Sequence, residues 1–120
     1  MNSPKSYRLL ASGEGYGKSL WYVVSVETIP SAAAIKALVC EVVRSQKPVN
    51  YRVLGIGVYV GLDSWVAPVG HGDTEIDRKQ YEHCVANYAW NVEIPDGKYR
   101  LHLVRESRFE EFDHLRACNK

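Results

Sequence analysis

The hydrophobic and polar residues of the chain follow a strand-like pattern in its first part and a helical one after it. Residues 7–12 and 20–27 are rich in Tyr, Leu, Val and Trp and flank a glycine-dense gap, so they are predicted to form a β-hairpin. After Pro30, apolar residues recur at helical spacing, Ser31 can cap the helix, and Pro48 limits its length. The apolar face of this predicted helix contains Ile35, Leu38, Val39, Val42 and Val43.

The segment YRVLGIGVYVGL alternates and is predicted to form a central strand. One of its faces carries Leu54, Ile56, Val58 and Val60, and the other carries Tyr51, Gly55, Gly57 and Tyr59. Because a helix joins two strands here, we expect a parallel crossover with the helix on the aliphatic face. The glycine and tyrosine face, which Trp21 is expected to share from the neighbouring strand, is then left open.

The segment from residue 74 to residue 94 fits two structures. Alternating residues favour a strand, whereas apolar residues at helical spacing favour a helix. We expect a helix over 77–91, because Asp73 or Thr74 can cap it and Glu75 and Asp77 then lie where the helix dipole favours negative charge. A last strand follows the Pro-Asp-Gly turn, and a short C-terminal helix is predicted from Phe109, Phe112 and Leu115.

These elements predict an α+β fold, a two-layer sandwich with the order β-β-α-β-α-β. Two main helices lie on one face of the sheet, and a short C-terminal helix follows. The 120 residues suit one domain, 1–120, with residues 1–5 and 117–120 frayed.

Several runs of the chain carry a resemblance. VVSV, AAAIKALVCEVVRSQKP, RVLGIGVYVGLDSWVA, YEHCVANYAWN and GKYRLHL together resemble small uncharacterised bacterial domains built as strand, helix, strand, helix, strand. The resemblance implies the fold and transfers no catalytic residue.

Composition narrows the class of protein further. The chain is 46% hydrophobic and 24% charged, with a net charge of +1 and no block of like charges, so nothing predicts attraction to nucleic acid or to a membrane. Neither a signal-peptide core nor a membrane span is visible, which predicts a cytoplasmic protein. Cys40, Cys84 and Cys118 are odd in number and lack CxxC spacing, so we expect reduced thiols and no zinc site.

Two motifs could carry chemistry. Gly17, Lys18 and Ser19 match the end of a phosphate-binding loop, but its first glycine falls on Ser12 and a strand follows, so we expect a hairpin loop and no nucleotide. The run HGDTEID alternates His71 with three acids, which could chelate a hard cation, yet helix capping explains the acids. We expect neither a metal nor a cofactor.

The preferred function is that of a small soluble, non-enzymatic binding or oligomerisation domain. Trp21, Tyr51 and Tyr59 would form its open face, and a homodimer would bury them. A C-terminal segment folded back through Phe109 and Phe112 would instead cover that face within one chain.

An alternative function is a small-ligand domain or small enzyme. Its pocket would form between loops 13–18 and 62–73, with Trp65, His71 and Asp73. Single-stranded nucleic acid, stacked on strand aromatics beside arginines, is the partner we expect least, because the net charge is close to zero.

Overall fold

The computed structural model describes residues 6–66, 75–94 and 100–118, which form a small α+β domain. Its strands are β1 (Arg8–Gly15), β2 (Ser19–Val26), β3 (Val53–Val60), β4 (Cys84–Asn91), β5 (Arg100–Leu103) and β6 (Arg108–Glu111). Its helices are α1 (Ala32–Gln46), α2 (Glu75–Tyr81) and α3 (His114–Ala117), with a 3₁₀ turn at Val104–Glu106. The strands form one mixed sheet in the order β1-β2-β3-β4-β5-β6, in which only β2 and β3 are parallel.

The glycine-rich segment forms the predicted hairpin, with a turn of three residues between β1 and β2. Gly17 and Lys18 have φ angles of 68° and 59°, in the left-handed region that hairpin turns use. Gly13 and Gly15 do not adopt positive φ angles. The turn leads directly into β2, which excludes the helix that a phosphate-binding loop needs.

Helix α1 has the predicted cap and the predicted apolar face. The Ser31 hydroxyl accepts a hydrogen bond from the Ala34 N–H at 3.1 Å, and the helix ends before Lys47, which adopts a left-handed conformation. Buried α1 side chains pack in one cluster with aliphatic residues of β3: Ile35, Leu38, Val39, Val42, Leu54, Ile56 and Val58. This packing and the parallel β2–β3 pair confirm the expected crossover between these strands.

The prediction of a second main helix over 77–91 was wrong. The structure has only α2, which ends at Tyr81, and then β4, which pairs with both β3 and β5. Tyr88 and Trp90 are buried in the core, while Asn87 and Ala89 lie on the other side of the sheet. This segment therefore follows the strand-like alternation rather than the helical spacing. The residues proposed to cap this helix, Asp73 and Thr74, lie outside the described residues.

The C-terminal part also differs from the expectation. Phe109 lies in β6, a strand that the sequence did not predict, and the final helix α3 covers only four residues. The observed order is therefore β-β-α-β-α-β-β-β-α. The predicted Pro-Asp-Gly turn lies outside the described residues.

Two cysteines form a disulfide, which corrects the expectation of reduced thiols. Cys40 of α1 is bonded to Cys118, directly after α3, across 78 residues of sequence. Cysteine count and spacing could not reveal it, because the pairing depends on the C-terminal segment folding back onto α1. Cys84 is a free, buried thiol, as expected of a core residue. Among the described helices, none combines the length and apolarity that crossing a membrane requires.

Candidate functional site

The sheet has a core face, packed against α1, and a second face on the opposite side. Directly opposite residues of neighbouring strands point to the same side, so the register identifies the residues of the second face. One row across it contains Gly13, Trp21, Gly55, Ala89, Arg100 and Glu111. The adjacent row contains Ala11, Val23, Gly57, Asn87, His102 and Phe109.

Small residues form much of the centre of this face, and Trp21 lies against one of them. A Cβ atom built on Gly13 would lie only 2.7 Å from Cε2 of the Trp21 indole. Glycine at position 13 is therefore required by the close approach of the indole, since its φ angle does not demand glycine. The partly buried Trp21 ring is held down on the sheet by this contact.

One end of the second face is closed by a small hydrophobic cluster of its own. Val23, Tyr59 and Cys84 are buried there, and Trp65 packs on Tyr59 with ring centroids 5.3 Å apart. A Cβ atom on Gly57 would lie 3.1 Å from Cε1 of Tyr59, so the missing side chain makes room for the tyrosine ring. The described residues of this cluster come from strands, connecting segments and the 3₁₀ turn, which contributes Val104, and none of them belongs to α1, α2 or α3.

The electrostatics of this cluster favour neutral side chains. Burial raises the pKa of the Tyr59 hydroxyl and also raises the pKa of the Cys84 thiol. The Cys84 thiol donates to the carbonyl of Ala86 at 3.7 Å and accepts from the Asn87 amide at 3.5 Å. A protonated, buried thiol is a poor nucleophile, so this end of the face is a packing site.

The other end of the second face is open and aromatic. His102 and Phe109 are stacked with centroids 4.4 Å apart and ring planes at 15°, and Phe109 is 57% exposed. The Arg100 guanidinium carbon lies 5.6 Å from the centre of the Phe109 ring, within reach of a cation–π interaction. This end therefore presents an aromatic surface with a cation beside it.

Three of the residues selected from the sequence share the second face, and one does not. Trp21, Tyr59 and Trp65 belong to one cluster, and the first two were predicted to share a face of the sheet. Tyr51 belongs to the core side, where its hydroxyl is 2.7 Å from Nε2 of His114. The alternation that placed Tyr51 on the open face fails because β3 starts only at Val53.

The other selected residues, His71 and Asp73, lie outside the described residues. Within the described ranges, no three His, Cys, Asp or Glu side chains are grouped as a metal site would require.

Lys18 of the glycine hairpin and Gly61, where the second loop of the alternative pocket begins, lie at opposite ends of β2. The carbonyl of Lys18, in the glycine hairpin, accepts from the N–H of Arg52 at the start of β3, at 2.8 Å. The loop that begins at Gly61 is attached to the far end of β2, where the Gly61 N–H donates to Val26 at 2.9 Å. The eight residues of β2 separate them by roughly 25 Å. Gly13 nevertheless contacts Trp21, which shares a cluster with Trp65, so a pocket between loops 13–18 and 62–73 stays a prediction.

The C-terminal segment does not cover the cluster around Trp21 and Tyr59. Phe112 packs against the core cluster on the other side of the sheet, together with α3. Phe109 extends the second face at β6 and stays exposed. The alternative in which Phe109 and Phe112 fold back over the open face does not occur, because Phe109 lies in β6 at the sheet edge and Phe112 packs on the core side.

Several residues of the second face were not selected from the sequence: Asn87, Ala89, Arg100, His102 and Phe109. The alternation across residues 84–92 was the signal that could have found the first two. Comparison of the chain with protein-family models, curated proteins and solved structures found no match. The resemblance to small bacterial domains therefore stays a prediction.

Proposed function

We propose that this chain is a non-enzymatic binding domain that self-associates through the second face of its sheet. The observation that carries the proposal is the combination of exposed Phe109, partly exposed Trp21 and a floor of small residues between them. Aromatic rings bury a large apolar area when they are covered, and a low floor lets another surface approach closely. The two-layer arrangement, with α1 and α3 packed on the core face, is part of this proposal.

The sheet edges support association through the face rather than through strand pairing. The β1 edge is interrupted by an irregularity between Leu9 and Ala11, and bulges of this kind hinder the addition of a further strand. The β6 edge has only four residues, three of which are charged. Short, charged edges resist pairing with another chain. The second face is then the surface best suited to a partner.

A second copy of the chain is the partner that needs the fewest assumptions. In a two-fold dimer the same patch serves both subunits, so a single self-complementary surface is sufficient. Arg100 and Glu111 lie at one end of the same row, which gives each copy one cation and one anion at the rim of the patch. Opposite charges at the rim favour one docking register over others.

The proposal is tested by light scattering across a range of protein concentrations. We expect the wild-type mass to rise from 13.6 kDa toward twice that value as the concentration increases. Ala89→Arg places a large charged side chain on an exposed position in the middle of the face and should keep the protein monomeric. The matched control is Ala37→Arg on the exposed side of α1, which should associate like the wild type. A wild type that stays monomeric at every concentration, or equal association of both variants, contradicts the proposal.

A cytoplasmic location belongs to the same proposal. The Cys40–Cys118 disulfide is the observation that speaks against this location, since stable disulfides are rare in reducing compartments such as the cytoplasm. Alkylation of free thiols during cell lysis would show whether Cys40 and Cys118 are reduced or oxidised inside the cell. Fully reduced cysteines support the cytoplasmic location, and fully oxidised cysteines contradict it.

A further inference from the structure

The C-terminal segment, residues 112–118, contacts the core side of the molecule through Phe112, His114 and Cys118. Helix α3 is a single turn, and a helix of four residues cannot form stably without tertiary contacts. Its helix neighbour is α1. Leu115 is 46% exposed, and Arg116 and Ala117 are exposed as well. Phe112 and His114 are more buried than these three residues, and Phe112 packs against the core cluster.

His114 fills a pocket lined by aromatic side chains. Its ring is 1% exposed, with Nε2 2.7 Å from the Tyr51 hydroxyl and Nδ1 2.9 Å from the Tyr88 hydroxyl. The backbone N–H of His114 also donates to the Tyr88 hydroxyl, at 3.0 Å. The Trp90 ring stands edge-on, with its centroid 5.2 Å from that of His114. If the segment moved away, Tyr51, Tyr88 and Trp90 would line an open aromatic pocket on the core face.

The third fastening point is covalent. Cys118 directly follows α3 and is bonded to Cys40 of α1, which is 9% exposed. Cys118 is only partly buried, so it is the sulfur that a reductant reaches more easily.

We infer that the Cys40–Cys118 disulfide is a reducible latch that holds residues 112–118 over the aromatic pocket of His114. A dithiol is the chemical class of reductant. Its first thiolate attacks the Cys118 sulfur, which forms a mixed disulfide and releases Cys40, and Cys40 then takes up a proton. Its second thiol attacks the mixed disulfide, so that Cys118 is also released as a thiol and the dithiol becomes a disulfide. Two electrons and two protons are transferred in total.

Reduction should loosen this segment while the sheet stays intact. The sheet is held by the cluster between α1 and the strands, and neither Cys40 nor Cys118 is a member of this cluster. The latch lies on the face opposite the proposed dimer surface, so it goes beyond the proposed function and can be tested independently of it. Amide hydrogen exchange detects local opening of a segment such as residues 112–118.

The test is hydrogen exchange of the full-length protein, oxidised and after reduction with dithiothreitol. The diagnostic amides are those of Arg116, Ala117 and Cys118, which donate to the carbonyls of Asp113 and His114. We expect their protection to fall by at least about tenfold on reduction, whereas the protection of β2, β3 and β4 stays unchanged. The double variant Cys40→Ser, Cys118→Ser should reproduce the reduced pattern and should not respond to dithiothreitol.

Two results would overturn the latch. Unchanged protection at Arg116–Cys118 after complete reduction would show that noncovalent contacts alone hold the segment. Equal loss of protection in residues 112–118 and in the central strands would show that the disulfide stabilises the whole fold. Because the comparison uses wild-type protein in two redox states, it remains decisive even if the double variant does not fold.

Discussion

The contact between Gly13 and Trp21 gives a quantitative test of how the second face is built. In the substitution Gly13→Ala, the new methyl group would lie 2.7 Å from Cε2 of the indole, closer than real Cβ contacts allow. The backbone of Gly13 is not in the left-handed region, so the alanine itself is not strained. The cost of the substitution should therefore come from the indole, which has to move off the sheet.

The magnitude follows from two opposing effects. Forcing an extra methyl group into a filled site costs about 1–3 kcal/mol. Where the site has room, replacing glycine by alanine stabilises by about 0.4–1 kcal/mol, because the unfolded chain loses conformational freedom. Removing the indole with Trp21→Ala creates that room. The effect of Gly13→Ala should then change sign, with a coupling energy of roughly 1.5–4 kcal/mol between the two positions.

The assay is urea denaturation of the wild type, both single variants and the double variant at one protein concentration. Gly13→Ala should lower the free energy of unfolding in the wild-type background and leave it equal or higher in the Trp21→Ala background. An equal loss in both backgrounds would mean that the indole does not lie over Gly13. The packing of this side of the face would then be refuted.

The remaining predictions concern the core and the buried titratable groups. Leu38→Ala should lose about 2–5 kcal/mol of unfolding free energy because the 4% exposed side chain leaves a cavity; a loss as small as that of the exposed Leu9→Ala would contradict the register of α1. Burial lowers the pKa of His114, with Asp113 opposing this, so the unfolded state binds more protons. Stability should be complete above the ordinary histidine pKa of about 6.5 and fall as the pH drops through it; equal pH slopes for wild type and His114→Gln would refute this. Cys84, with its raised pKa and 1% exposure, should react with iodoacetamide only after unfolding; rapid labelling of the native protein would show that the cluster is open.

Local patterns in the sequence were sufficient for the first half of the fold. Helix α1 follows from Ser31 and from an apolar face with helical spacing, and both signals lie within one continuous segment. The placement of Trp21 and Tyr59 on a shared face follows from alternation in two strongly strand-like segments. These features depend on side-chain period and capping, which a single sequence shows directly.

The second half depends on contacts between distant residues. The helical pattern from Glu75 onward corresponds to the short helix α2. The strand that follows, β4, is determined by its pairing with β3 and β5. Tertiary context of this kind overrides local propensity. The same limit explains the missed β6 strand and the missed disulfide, since four strands, β3 to β6, lie between Cys40 and Cys118 in the chain. The open aromatic end around His102 and Phe109 was missed for that reason.

The claim that the second face is the contact surface is tested most directly by backbone amide NMR spectra recorded over a dilution series. If the second face is the contact surface, the amide resonances of Gly55, Ala89 and Phe109 shift with concentration, while that of Ala37 on α1 stays in place. Resonances that shift at α1 or along the β1 edge, with the second face unchanged, would contradict it.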